Sequence, residues 1–272
     1  MFRRLLRQLN RGTLDPSSEV RIDLAPPAVR PLPPGEIAPP SAELIFRVSG
    51  GRDPAVFLAS GKDTLDDFKT ALATVGKRFD DFSAVLDWGC GCGRVMRWLR
   101  KDLPAAKLHG SDYDKPAIAW MRENIPDVRT ETNDELPPLA FANESFDLII
   151  GYSIFTHFNE EYQDAWLSEL HRVTAPGGLL VLSFHGAYNW AYTRENILQN
   201  SPARDNIDQA LESKGFAYFK QDGWDEHFPD FYHTAWHTKD YVQAHWSKWF
   251  DVLAIIERGA RPTQDFVVLR RQ

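Results

Sequence analysis

The residues best suited to chemistry lie in one run: Val85-Leu86-Asp87-Trp88-Gly89-Cys90-Gly91-Cys92-Gly93-Arg94. An apolar strand runs into three alternating glycines and then a predicted helix. Glycine supplies positive φ and removes the side chain where a ligand must touch backbone. The free N–H groups at the following helix start favour a negative group. Nineteen residues past Gly93 a second predicted strand ends at Asp112. A carboxylate there can accept both hydroxyls of a ribose. Glycine loops also serve nicotinamide enzymes, but their spacing is Gly-x-Gly-x-x-Gly. Here it is Gly-x-Gly-x-Gly, and no Tyr-x-x-x-Lys pair is present to polarise a carbonyl for hydride transfer.

Further residues carry a resemblance. Asp87, Gly89, Gly91 and Gly93 resemble the first motif of class I S-adenosylmethionine-dependent methyltransferases, and Gly110-Ser111-Asp112 resembles their ribose-binding acid. Leu136 to Phe141 followed by Ser145-Phe146-Asp147-Leu148-Ile149 is similar to the approach to the fourth strand, and Ala175-Pro176-Gly177-Gly178 to the turn into the fifth. The likeness is strong over roughly residues 80–185. Trp88 stands where a small or aliphatic residue is usual, and Ala140 where proline is usual. The resemblance implies S-adenosyl-L-methionine as cofactor. It assigns the Gly89–Gly93 backbone, with Cys90, to the methionine moiety beside Asp87, and Arg94 to its carboxylate. Asp112 takes the ribose and Tyr113 covers the adenine face. Asn133, with Asp134 next to it, meets the adenine edge. Tyr152 and Ser153 face the cofactor near the sulfonium. The layout is most similar to bacterial methyltransferases found with glycan-building enzymes, through a Thr-His after the fourth strand and Gln264-Asp265 entering the last one. That implies an O-methyltransferase of a sugar or another small hydroxylated acceptor. N- or C-methylation of a small metabolite, and a methyltransferase-like binding subunit without turnover, stay open.

A hydroxyl acceptor needs a base. His157 follows the fourth strand, at the strand ends where open α/β sheets bind ligands. Histidine titrates near neutrality, which suits that work, though a packing or helix-capping role is equally open to this ring. His185 ends the fifth strand, and either reaches the acceptor or bonds backbone in a turn. His233 and His237 are four apart, a spacing that ligates metal on a helix face. No Glu follows the first and no third ligand falls at a recognisable spacing, so no metal is expected.

The elements that must position these groups read as strand and helix in alternation. Strands are predicted at Ala84–Trp88, Lys107–Asp112, Val128–Thr132, Phe146–Tyr152 and Gly178–Phe184, with helices near 64–79, 92–102, 115–124 and 160–174. Such alternation means crossover connections and a parallel sheet covered on both faces. Trp249–Glu257 and Phe266–Arg270 read as an antiparallel pair closing the sheet. The fold expected is α/β: a Rossmann-like three-layer sandwich with a mostly parallel seven-stranded sheet. Residues 1–40 read as a basic helix (1–11) and a proline-rich arm, and 41–272 as the main domain, in which 186–248 is a helical, aromatic-rich insertion. Residues 216–250 hold twelve aromatics, interleaved with His227, His233, His237 and His245. They suit core packing or an acceptor pocket.

The 272-residue chain suits one large domain with appendages. Hydrophobic residues make up 43% and charged residues 25%, which excludes wholesale disorder. A net charge of -7 repels polyanions, and acids interleave with the aromatics of 216–250, so no nucleic-acid partner is expected. Residues 1–11 carry four arginines and no acid, a pattern that meets an anionic membrane surface or a protein, or simply lies on its own domain. The two cysteines are one residue apart and unsuited to a bridge, so a reducing, cytoplasmic setting is expected. No apolar run approaches the roughly 20 residues of a membrane span, and no signal-peptide pattern is read. The oligomeric state has no signature in the sequence.

Overall fold

Consecutive apolar residues build a sheet buried on both faces. In β1 (Val85–Trp88), Val85 packs into one core and Leu86 and Trp88 into the other. In β4 (Phe146–Gly151), Leu148 and Ile150 face one side and Ile149 the other. A pleated strand points successive side chains to opposite faces, so runs without polar residues must be covered twice. The other strands are β2 (Leu108–Asp112), β3 (Arg129–Thr132), β5 (Thr174–Phe184), β8 (Asp251–Ala260) and β9 (Gln264–Arg270), numbered to leave β6 and β7 for a pair outside this sheet. Their order is β3-β2-β1-β4-β5-β9-β8. The first five strands are parallel, and β9 and β8 join antiparallel. The seven-stranded, Rossmann-like sandwich is the expected fold.

This computed structural model describes residues 36–221 and 229–272, of which Ile37–Gln272 form a compact unit. The expected basic helix at 1–11, nearly all of the proline-rich arm, and Trp224, His227 and Phe228 lie outside the described residues. No described helix is long and apolar enough to cross a membrane.

One face of the sheet is covered by α1 (Ala42–Ser49), α2 (Pro54–Ala73), α3 (Met96–Asp102) and α4 (Lys115–Asn124), whose Phe68, Leu72, Met96, Leu99 and Met121 meet Val85, Leu148 and Val181. The other is covered by α5 (Glu160–Val173) and α8 (Lys239–Trp246). The unusual Trp88 is housed there, its ring 5.1 Å from Trp166 and 5.4 Å from Phe155. Room comes from Gly151, Trp88's cross-strand neighbour, where a Cβ would lie 3.1 Å from the indole.

Three expected boundaries shift for physical reasons. The helix expected over 64–79 starts ten residues earlier, at Pro54, with Asp53 accepting from the N–H groups of Ala55 and Val56. Gly61 interrupts its sequence pattern because the helix presses on the glycine run: a Cβ there would sit 2.0 Å from the Arg94 carbonyl oxygen. The helix expected from residue 92 begins at Met96, since glycines at positive φ cannot be helical. The 186–248 segment is not purely helical. Besides α6 (Ala187–Asn196) and α7 (Ala203–Lys214), β6 (Phe216–Phe219) and β7 (Thr234–His237) pair antiparallel. Their aromatic and β-branched residues favour a pleated surface over a helix.

Phe266 joins the closing strand pair to the helices, its ring 4.8 Å from that of Phe68 and fully buried. Phe266→Ala is expected to cost about 3–5 kcal/mol. Urea unfolding of the full chain checks this, and a loss below about 1 kcal/mol would show that the pair is not part of the cooperative core.

Candidate functional site

The sheet reverses order between β1 and β4, and ligands bind open α/β sheets at such a point, above the carboxyl ends of the strands. The glycine run leaves β1 there and residues 152–157 leave β4 there.

Gly89, Gly91 and Gly93 have φ of 76°, 53° and 73°. The bend they make is tied to the end of β2. The Gly89 and Cys90 N–H groups donate to the Ser111 carbonyl at 2.7 and 3.1 Å. The Gly91 N–H donates to one Asp112 carboxylate oxygen at 2.7 Å, and the Asp114 N–H to the other at 2.8 Å. A carboxylate has roughly four lone-pair sites, so this leaves acceptor capacity. Burial pushes the Asp112 carboxyl up to about 6, against the lowering effect of those amides. Cys90 and Cys92 are buried free thiols, each raised by burial, Cys92 to about 12. Such thiols are packing groups, not nucleophiles.

Asp87 is buried beneath the bend, and its Oδ2 has no hydrogen-bond partner among the described residues. Burial pushes its carboxyl up to about 7, opposed by Arg94. Arg94 is itself buried. It donates to the Thr64 hydroxyl at 3.0 Å and the Ser60 carbonyl at 3.2 Å, and its guanidinium lies 4.8 Å from the Tyr152 ring centre. These bonds tie Arg94 to α2. Asn133 is drawn to the same corner: its Oδ1 accepts from the Ser111 hydroxyl at 2.7 Å and its N–H donates to the Asp112 carbonyl at 3.1 Å. Asp134 is exposed and its carbonyl accepts from the Asn133 side chain. Tyr113 is 43% exposed, with its ring edge-to-face with Phe231 at 5.4 Å. An orphaned buried carboxylate oxygen, a second acid with acceptor capacity and an open flat ring fit a ligand with an ammonium, a ribose and an adenine.

On the β4 side, Ser153 adopts φ 61°, and Ile154 lies against Gly89, with its Cδ1 2.3 Å from where a Cβ would be. His157 Nδ1 is 2.5 Å from the His233 carbonyl oxygen, and His185 Nδ1 is 3.2 Å from the Ala235 carbonyl oxygen. A carbonyl only accepts, so both rings carry their proton on Nδ1 and hold a lone pair on Nε2. The ring centres are 6.3 Å apart. Burial lowers His157 to about 4 and His185 well below its ordinary value. The following helix α5 is capped by Asn159, not by His157.

The sequence did not single out Tyr232, whose ring stacks on His157 at 3.9 Å, although it lies in the aromatic-rich segment. Arg47 and Val48 of α1 also stand at the site. Arg47 pairs with Asp114 at 2.9 Å and Val48 lies on Gly91. Nothing in their local sequence signals this. His233 and His237 do not share a helix face, because β7 ends at His237, and four residues of strand span about 13 Å. His237 Nε2 is 3.0 Å from the Gln163 side-chain oxygen. Among the described residues, no group of three His, Cys, Asp or Glu could hold a metal. The aromatic segment divides: Phe216, Tyr241, Trp246 and Phe250 join the main core, Trp236 packs with Trp190, and Phe231 and Tyr232 stand at the site.

Residues 85–178 match the methyltransferase domain family. Over 117 residues, 40% of this chain and 52% of the relative, the sequence is 34% identical to a demethylmenaquinone methyltransferase of Thermus thermophilus. Over 105 residues, 36% of this chain and 35% of the relative, it is 30% identical to a malonyl-(acyl-carrier protein) O-methyltransferase of Hahella chejuensis. The chain thus spans about half the length of the first and about a third of the second. A solved S-adenosylmethionine-dependent methyltransferase from Mesorhizobium loti shares the fold with a TM-score of 0.51 at 17% identity, covering 76% of this chain and 100% of that one.

Two outcomes follow from this geometry. Asp112→Ala is expected to weaken S-adenosylhomocysteine binding by about 1.5–3 kcal/mol in calorimetry, and unchanged affinity would remove Asp112 from the site. Side-chain NMR of nitrogen-labelled histidine is expected to show neutral Nδ1–H rings for His157 and His185 at pH 6, with His157 protonating only near pH 4. The unfolded ring takes its proton first, near 6.5, so the stability from burying His157 neutral is lost as pH falls from about 6.5 toward 4. A charged His157 at pH 6 would contradict the buried arrangement.

Proposed function

We propose that this S-adenosyl-L-methionine-dependent methyltransferase passes the methyl group to a hydroxyl of a sugar or another small acceptor, with His157 as the base. The observation that carries this reading is the fixed tautomer of two half-buried imidazoles, each with its Nε2 lone pair, just past the carboxyl ends of β4 and β5. The bound cofactor supplies an electrophilic methyl on a cationic sulfur.

Everything else falls to the chain. Asp87 bonds the ammonium, Asp112 the ribose hydroxyls and Tyr113 the adenine face, with Asn133 and Asp134 at the adenine edge. Arg94 serves the methionine end through the bend it braces. Tyr152 and Ser153 border the reacting centre, and burial keeps water away from it. The acceptor hydroxyl donates to His157 Nε2, which aligns the oxygen lone pair for in-line displacement. At neutral pH a ring held near 4 is wholly in its base form. Such a ring is a weak base, yet weak basicity is enough: the hydroxyl proton becomes acidic as the new C–O bond forms. The His233 carbonyl, bonded to Nδ1–H, then steadies the imidazolium. His185 offers a second acceptor to a neighbouring hydroxyl, an arrangement suited to a diol. Tyr232 and Phe231 supply flat apolar faces on which a sugar ring stacks. The O-methyltransferase among the relatives shows that oxygen acceptors occur on related domains.

Turnover of labelled donor over a panel of sugars, phenols and amines tests the acceptor class, and methylation of amines alone would overturn the hydroxyl assignment. In the active assay, His157→Ala is expected to lower turnover by roughly 10²–10⁴-fold with donor affinity retained. Near-normal turnover in that variant would give the ring a structural role.

A further inference from the structure

The chain leaves β4 in a conformation that Ser153 does not favour by itself. At φ 61° this residue sits in the left-handed region that L side chains adopt reluctantly. Such a residue persists only where its surroundings over-determine it. Here a closed ring of hydrogen bonds does so. The Ser153 N–H donates to the Ser183 hydroxyl oxygen at 2.6 Å. The Ser183 hydroxyl donates to Gln264 Oε1 at 2.8 Å, and Gln264 Nε2 donates back to the Ser153 hydroxyl oxygen at 3.0 Å. The Ser153 and Thr156 hydroxyls share a further hydrogen bond at 3.2 Å. Ser183, Gln264 and Thr156 are all buried. Gln264 accepts at one end of its amide and donates at the other, and so links both hydroxyls.

The ring reaches the imidazole by a second contact. The Ser153 carbonyl accepts from the Tyr232 hydroxyl at 3.3 Å, and the Tyr232 ring lies on His157 with an interplanar angle of 19°. Gln264 opens β9, more than a hundred residues along the chain from Ser153. We propose that Gln264 is a positioning residue: it locks Ser153 so that the Ser153 carbonyl anchors Tyr232, and Tyr232 sets the plane of His157. The functional weight of this linkage rests on His157 being the base. The linkage itself is a separate claim.

Histidine side-chain NMR of the full chain, with donor affinity measured using S-adenosylhomocysteine, separates the two. Gln264→Met keeps the length and loses both polar ends. It is expected to speed solvent exchange of the His157 Nδ1–H by about tenfold, while S-adenosylhomocysteine affinity stays within about threefold. Ser153→Gly reaches the same backbone conformation without strain and removes the hydroxyl partner of Gln264. The double variant is therefore expected to exchange no faster than Gln264→Met within about twofold, because both substitutions break one linkage. Additive effects, or an unaltered His157 signal in folded Gln264→Met, would overturn the proposal. Near-normal turnover in His157→Ala beside a disturbed ring signal in Gln264→Met would remove the base and leave the linkage standing.

Discussion

The Asp112 carboxylate is the pivot of the crevice. It accepts from the Gly91 and Asp114 amides and so joins the bend after β1 to the turn after β2. Without it, the Gly91 N–H at the middle of the bend would lose its acceptor. The Ser111 carbonyl, accepting from Gly89 and Cys90, completes the tie. The bend is thus held by the neighbouring strand's end, and the backbone groups at the switch point are pre-arranged before any ligand arrives.

Most of the sheet could be read directly from the residues. Val85, Leu86, Leu148, Ile149 and Ile150 are apolar without alternation because both faces are covered, and such runs bounded by glycine and acid are a strong strand signal. The helical part was harder. Gly61 lies outside the helix expected over 64–79, yet its missing side chain lets α2 touch the Arg94 carbonyl, a contact formed thirty-three residues away. The β6–β7 pair was hidden because a short aromatic run bounded by polar residues suits either a helix or a strand until packing decides.

The site was legible to the extent that its chemistry is local. Asp87, the glycines and Asp112 announce themselves by type and spacing, and they meet as their order implies. The surroundings of His157 do not. Its tautomer is set by a carbonyl at residue 233, its stacking partner is Tyr232, and its low proton affinity comes from burial. A sequence records the imidazole but not the dielectric around it. Likewise Arg94 follows the glycines as a carboxylate-binding group would, while its guanidinium bonds run to Ser60 and Thr64 of α2.

That last arrangement bears on what counts as a self-sufficient unit. The family resemblance begins at residue 85, whereas the partners of the buried Arg94 lie upstream of it, and Arg97 is held by the carbonyls of Ile37 and Ala38. A fragment excised at the boundaries of the recognised domain would keep the glycine run, Asp112 and His157 and strand two interior guanidinium groups. The upstream segment is therefore less an appendage than a set of acceptors that the interior of the recognised domain requires.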